Sequence, residues 1–124
     1  MVLEKGLSGT KLLLIEDNKI FRKTFKEGLQ NFFPATEIEE AADGTEALNK
    51  VEDFKPELIF MDIQLPGENG LQLTRKIKAQ HPEIKIIILT TYDSPEYREA
   101  ALKSQADSFI AKDSLNWEQL KNLL

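Results

Sequence analysis

Two nearly continuous apolar runs, residues 57–62 (ELIFMD) and 84–90 (IKIIILT), restrict the fold more than any other feature of this 124-residue chain. A strand with one solvated face alternates apolar and polar residues, and these runs do not alternate. They are typical of strands that are buried on both faces of a parallel sheet. Shorter apolar runs at 11–16 and 107–111 predict two further strands. The segment 36–42 (TEIEEAA) alternates more and predicts an edge strand.

Helical patterns lie between the predicted strands. Phe21, Phe25 and Leu29 recur every four residues, so one stripe of that helix faces a core. Cap signals mark where later helices begin: Asp43 with Glu46, Asn69 with Gln72, Ser94 before Pro95, and Ser114. Strand and helix alternate five times, which predicts an α/β fold with a doubly wound, five-stranded parallel sheet and helices on both faces. We expect the flavodoxin-like strand order 2-1-3-4-5.

Length and charge limit the domain organisation and the class of partner. We expect a flexible extension at residues 1–9 and one folded domain at 10–124. The net charge is −5 and no basic patch stands out, which disfavours direct nucleic-acid contact and binding to an anionic membrane. The chain has no cysteine and no apolar run of membrane-spanning length. These features favour a cytoplasmic location.

Polar side chains collect where the predicted strands end. Glu16 and Asp17 follow the first strand, Asp62 ends the third, Thr90 ends the fourth, and the fifth runs into Lys112. With the expected strand order, the first and third strands flank the point where the order reverses. Ligands of open α/β sheets bind beyond the carboxyl ends of the strands at that point. We therefore expect these five side chains to surround one site.

The carboxylates of this predicted site suit a hard metal ion. Three carboxylates at one edge repel one another unless a cation joins them. Oxygen ligands without histidine or cysteine favour Mg²⁺, with Mn²⁺ as an alternative. We expect the ligands to be Glu16, Asp17, Asp62 and the backbone oxygen of Gln64.

The same residue types suit phosphoryl transfer. The carboxylate of Asp62 can act as a nucleophile and form an acyl phosphate. That reaction requires mainly positioning and charge neutralisation, which the metal ion and Lys112 would supply. The hydroxyl of Thr90 would donate a hydrogen bond to a phosphoryl oxygen, and its neighbour Thr91 offers a competing hydroxyl.

Four segments carry a family resemblance: IEDN (15–18), MDIQLPGENG (61–70), LTTYDS (89–94) and FIAKDS (109–114). In order and spacing they resemble the marked segments of the response-regulator receiver domain, over residues 10–124. The later segments resemble receivers of LuxR/NarL-type transcriptional regulators. The resemblance implies that Asp62 is the phospho-acceptor and Glu16 with Asp17 the acidic magnesium pair. It implies that Thr90 is the switch hydroxyl, Phe109 the aromatic switch residue and Lys112 the phosphate-contacting lysine.

The resemblance also implies partners and an output. A histidine kinase would donate the phosphoryl group, and the domain would change conformation to control homodimerisation or a DNA-binding effector domain that regulates transcription. It would be a signalling phospho-acceptor and not an enzyme. Two alternatives remain open: a stand-alone receiver, and a pseudo-receiver that acts as a protein-interaction module. A haloacid-dehalogenase-like phosphatase is disfavoured, because that family places D-x-D-x-T after its first strand, where this chain has EDN.

Two positions depart from the receiver pattern. Many receivers have a proline after the lysine, joined by a cis bond, whereas Asp113 follows Lys112 here, so a cis bond is not expected. Gln105 stands where glycine is common. A left-handed backbone at Gln105 would cost about 1 kcal/mol.

Overall fold

The computed structural model describes residues 10–123, so the extension predicted at residues 1–9 lies outside the described residues. Strands and helices alternate along this part of the chain: β1 (Lys11–Ile15), α1 (Lys19–Phe32), β2 (Glu37–Ala41), α2 (Gly44–Phe54), β3 (Leu58–Met61), α3 (Gly70–Gln80), β4 (Lys85–Thr90), α4 (Pro95–Lys103), β5 (Ser108–Ala111) and α5 (Trp117–Leu123). A short 3₁₀ helix (Lys112–Ser114) connects β5 to α5. Between residues 10 and 123, no helix is both long enough and apolar enough to cross a membrane.

The strands form one parallel sheet in the order β2-β1-β3-β4-β5. The predicted fold class and strand order are therefore confirmed. Ile15 of β1 lies opposite Met61 of β3, and Thr90 of β4 lies opposite Ala111 of β5. Because every strand runs in the same direction, all five carboxyl ends meet at one edge of the sheet.

Two apolar layers cover the sheet, which explains why the central runs do not alternate. On one face, strand residues such as Ile59, Met61 and Ile88 pack with residues of α2, α3 and α4. On the other face, Phe60 and Leu89 belong to the layer formed with α1 and α5. The edge strand β2 is the least buried, as its alternating sequence predicts.

Helix caps follow the sequence at three predicted positions and differ at one. The side chains of Asp43, Asn69 and Ser94 accept hydrogen bonds from the first turns of α2, α3 and α4. The predicted Ser114 cap is wrong. Ser114 belongs to the 3₁₀ helix, and the side chain of Asn116 caps α5 by accepting hydrogen bonds from two backbone N–H groups, at 2.8 Å and 3.3 Å. Because the 3₁₀ turn follows β5, α5 begins closer to the C-terminus than the predicted Ser114 cap would place it.

Candidate acidic site at the carboxyl edge of the sheet

Three carboxylates meet where β1 and β3 end. The pairing of Ile15 with Met61 makes the next residues, Glu16 and Asp62, neighbours. The backbone N–H of Asp62 donates to the carbonyl of Ile15 at 3.0 Å, which continues the sheet one residue further. One oxygen from each of Glu16, Asp17 and Asp62 lies within 4.8 Å of the other two. The predicted acidic cluster therefore exists.

The three carboxylates differ in exposure. Glu16 is 1% exposed and Asp62 is 6% exposed, whereas Asp17 faces solvent. Burial raises the pKa of the Glu16 carboxyl above its ordinary value, although hydrogen bonds from Lys112 and the Asn18 backbone oppose this shift. Asp62 Oδ1 accepts a hydrogen bond from the backbone N–H of Ile63 at 2.7 Å. This bond fixes the orientation of the Asp62 carboxylate.

Lys112 reaches the acidic cluster from the end of β5. Its Nζ lies 2.7 Å from Glu16 Oε1 and 3.3 Å from Asp62 Oδ2. Its side chain is only 12% exposed. Between residues 10 and 123 the structure contains no cis peptide bond, and Asp113 continues the chain into the 3₁₀ helix. The lysine therefore reaches the site without the proline that many receivers carry.

The other predicted switch residues lie on β4 and β5. Thr90 is fully buried at the end of β4, and its hydroxyl oxygen accepts a hydrogen bond from the backbone of Tyr92 at 3.2 Å. Thr91, the competing hydroxyl, is exposed. Phe109 is half-buried on β5, and the Arg98 guanidinium lies 4.7 Å from the centre of its ring. The switch roles of Thr90 and Phe109 stay predictions.

The loop that follows Asp62 passes very close to the start of α3. The Gly70 N–H donates to the carbonyl of Ile63 at 2.8 Å. A Cβ atom at Gly70 would lie 1.9 Å from the carbonyl oxygen of Asp62, so any other residue there would force the helix or the loop to move. Gly67 in the same loop has a φ of +81°, as expected of the Pro66–Gly67 turn. Gln64 also lies in this loop, and metal ligation by its backbone oxygen stays a prediction.

Arg22 supports the site, although no sequence pattern predicted this role. Arg22 Nη1 donates to the backbone carbonyl of Glu16 at 2.6 Å, and Nε donates to Glu40 Oε1 at 3.0 Å. Lys26 also pairs with Glu40, at 2.8 Å. Burial raises the pKa of the Glu40 carboxyl, but the bonds to Lys26 and Arg22 outweigh burial and lower it below its ordinary value. Helix α1 is thereby tied to the segment that carries Glu16 and Asp17.

The charges of the cluster suit a divalent cation. Three carboxyl groups meet only one ammonium group there, that of Lys112. All the candidate ligand atoms are oxygens, which Mg²⁺ and Ca²⁺ prefer. Exposed Asp17 leaves one side of the cluster open to an ion that keeps several of its waters. The residues present therefore fit the predicted magnesium site.

Comparison with known proteins agrees with this geometry. The response regulator receiver domain family matches residues 12–124. Oxygen regulatory protein NreC of Staphylococcus aureus is 37% identical over 105 residues, covering 84% of this chain and 48% of that protein. The chain thus spans about half the length of the curated relatives it matches.

Solved structures extend the comparison to the fold. A LuxR-family two-component response regulator from Aurantimonas sp. SI85-9A1 has a TM-score of 0.85 at 26% identity, covering 94% of this chain and 83% of that one. A response regulator from Burkholderia pseudomallei, solved with a phosphorylated aspartic acid, a calcium ion and citrate, has a TM-score of 0.80 at 31% identity, covering 90% and 64%. The chain therefore belongs to the response regulator receiver domain family, and its homologues include LuxR-family regulators.

Proposed function

We propose that Asp62 accepts a phosphoryl group from a histidine kinase in a magnesium-dependent reaction. A carboxylate oxygen of Asp62 attacks the phosphorus of a phosphohistidine. The new O–P bond forms as the P–N bond breaks, and the electron pair of that bond stays on the imidazole. The observation that carries the proposal is the contact of one ammonium, Lys112, with both Glu16 and Asp62, at 2.7 Å and 3.3 Å.

The metal ligands of the proposed site are Glu16, Asp17, Asp62 and the backbone oxygen of Gln64. A bound Mg²⁺, or Mn²⁺ in its place, would neutralise negative charge on the transferred group. The acidic cluster, in which three carboxyl groups meet one ammonium group, supports this assignment. The Burkholderia pseudomallei regulator adds support, since its structure was solved with a phosphorylated aspartic acid and a calcium ion.

Phosphorylation would act as a switch. A phosphoryl group on Asp62 adds nearly two negative charges and three acceptor oxygens. Lys112 and the hydroxyl of Thr90 are proposed to turn towards those oxygens, which favours one arrangement of their loops. Movement of Thr90 would vacate space that Phe109 fills. Phe109 now lies beneath Arg98, so its movement would also release that contact on α4.

The output is proposed from the relatives. Similarity to LuxR-family regulators supports a DNA-binding effector domain in the full-length protein, with homodimerisation and transcriptional control as its readouts. The proposed receiver comprises residues 10–124, preceded by a flexible extension, and acts in the cytoplasm as a phospho-acceptor and not as an enzyme. A stand-alone receiver or an interaction module that is not phosphorylated is the alternative.

The test is phosphoryl incorporation from acetyl phosphate or a histidine kinase in the presence of Mg²⁺. Asp62→Asn should abolish incorporation and leave the fold intact. Asp53→Asn, the same change at an exposed residue of α2, should label like the wild type. Label that persists in Asp62→Asn refutes the assignment. A wild type that binds neither Mg²⁺ nor beryllofluoride supports the interaction module, and sustained turnover of a phosphate ester supports a phosphatase.

A further inference from the structure

The ammonium of Lys112 has a third neighbour besides the two carboxylates. Its Nζ lies 4.2 Å from the centre of the Phe21 ring on α1. A cation within about 6 Å of an aromatic face is attracted by the ring quadrupole, and the attraction is stronger where water is excluded. The Lys112 side chain is only 12% exposed, so little water competes for the ammonium. We therefore expect a stronger cation–π attraction here than at an exposed site.

Phe21 is held firmly in place. Its backbone N–H donates to Asn18 Oδ1 at 2.9 Å, and the Asn18 N–H donates to Glu16 Oε2 at 2.9 Å. These bonds link the start of α1 to the acidic cluster. The Phe21 ring also stacks on Phe25, with centroids 5.6 Å apart and an interplanar angle of 12°. The ring therefore presents a fixed surface to the lysine.

Phe21 packs against the core less completely than the other members of its stripe. The sequence pattern places it in one apolar stripe with Phe25 and Leu29. Those two residues are 2% and 0% exposed, whereas Phe21 is only half-buried. Of the three residues in the stripe, Phe21 lies nearest the carboxyl edge of the sheet. Helix α1 begins at that edge, and the ammonium of Lys112 also lies there.

We propose that Phe21 is a positioning residue for Lys112. The ring takes the place of water beside the ammonium and keeps the long lysine side chain at the site. A free lysine side chain has many rotamers, and ordering it when the phosphoryl group arrives costs conformational entropy. With Phe21 present, that ordering is complete before the reaction. This inference rests on the proposed role of Lys112 and assigns to Phe21 a part in the same site.

The test compares leucine and tyrosine at position 21. Phe21→Leu keeps an apolar side chain but removes the ring, and we expect phosphoryl incorporation from acetyl phosphate at saturating Mg²⁺ to slow by about threefold to tenfold. Phe21→Tyr keeps the ring and should restore a rate near that of the wild type. Phe54→Leu is the matched control, because Phe54 also lies beneath a lysine, Lys11 at 5.6 Å, at the opposite edge of the sheet. Its rate should not change.

A second measurement separates ring electrostatics from ring shape. Fluorinated phenylalanines at position 21 keep the shape of the ring and weaken its attraction for a cation. The rate should fall stepwise as fluorine atoms are added, even if Phe21→Leu fails to fold. Equal rates across the fluorinated series, or a Phe21→Leu rate equal to that of the wild type, would overturn the inference.

The inference and the proposed function fail differently. If the wild type takes up no phosphoryl group on Asp62, the proposed function fails, and the role of Phe21 fails with it. If the wild type is labelled on Asp62 and the fluorinated series shows no trend, only the role of Phe21 is wrong. Emission from Trp117, the single tryptophan, reports whether each variant is folded during the rate measurement.

Discussion

Replacing Gly70 by alanine should destabilise the domain through one backbone contact. Gly70 is the first residue of α3 and is buried. An added Cβ would lie 1.9 Å from the carbonyl oxygen of Asp62, 2.9 Å from its carbonyl carbon and 3.0 Å from the Cα of Ile63. All three atoms belong to the backbone, so no side chain can rotate away. Relief requires moving α3 away from the loop that carries Asp62.

The size of the effect follows from that distance. Non-bonded heavy atoms rest about 3.5 Å apart, so the helix or the loop must move by more than about 1 Å. The same movement stretches the 2.8 Å hydrogen bond between Gly70 and Ile63. Overpacking of this kind costs about 3 kcal/mol. For a domain of this length, that loss lowers the melting temperature by about 10 °C.

Gly44→Ala is the matched control. Gly44 is also buried and also the first residue of its helix, α2. Its added Cβ would meet only the side chain of Glu68, at 3.1 Å from Oε1, and that flexible group can move. We expect Gly44→Ala to stay within about 0.5 kcal/mol of the wild type in urea unfolding. The reasoning is refuted if Gly70→Ala is equally mild, or if both variants lose the same stability.

Three further predictions concern the acidic site and one turn. Without divalent cations, Asp17→Asn should raise the free energy of unfolding by about 0.5–1 kcal/mol, because it removes one of three mutually repelling carboxylates. It should also remove most of the stabilisation that Mg²⁺ gives the wild type in urea unfolding. Gln105→Gly should add about 1 kcal/mol of stability, because Gln105 is exposed and has a φ of 75°. The third prediction uses Glu16→Gln. Because burial raises the pKa of Glu16 in the folded state, its stabilising contribution is complete below its unfolded pKa and is lost as the pH rises through the folded pKa. In metal-free urea unfolding, the wild type should lose stability relative to Glu16→Gln as the pH rises above about 4.3, the ordinary pKa of a glutamate carboxyl.

Each of these predictions has an outcome that contradicts it. Full Mg²⁺ stabilisation of Asp17→Asn would mean that Asp17 is not a ligand. For Gln105, the control is Gln72→Gly in α3, which should lose about 1 kcal/mol because glycine is a poor helix former. The same sign for both glutamine substitutions would contradict the backbone argument. Parallel pH curves for the wild type and Glu16→Gln would show that burial does not raise the pKa of Glu16.

The fold and the location of the site were predictable because both depend on patterns along the chain. Apolar runs without alternation require burial on both faces, and parallel strands bring their carboxyl ends to one edge. Glu16, Asp62 and Lys112 meet there as expected, since the lysine Nζ lies 2.7 Å from Glu16 Oε1 and 3.3 Å from Asp62 Oδ2. The left-handed backbone considered for Gln105 is also present. The presence of glutamine where receivers commonly have glycine was enough to predict this backbone conformation at position 105.

Contacts between side chains of distant elements were not predictable. Helical spacing placed Phe21 in the core stripe but could not show that Lys112 approaches its ring. Arg98 over Phe109 and Arg22 on the Glu16 carbonyl depend on how α4 and α1 lie against the sheet. Serine and asparagine are both good caps. The length of the turn after β5 therefore decided the start of α5, and sequence spacing does not reveal that length.

Chemical mapping of the phosphorylated residue tests the central claim most directly. The chain is incubated with Mg²⁺ and acetyl phosphate and then reduced with borohydride, which converts an aspartyl phosphate to homoserine. Mass spectrometry of the proteolytic peptides then locates the change. Homoserine at position 62, and its loss when Mg²⁺ is removed by a chelator, is the predicted result. Homoserine at Asp17 or at any other position, or incorporation that does not depend on Mg²⁺, would contradict the account.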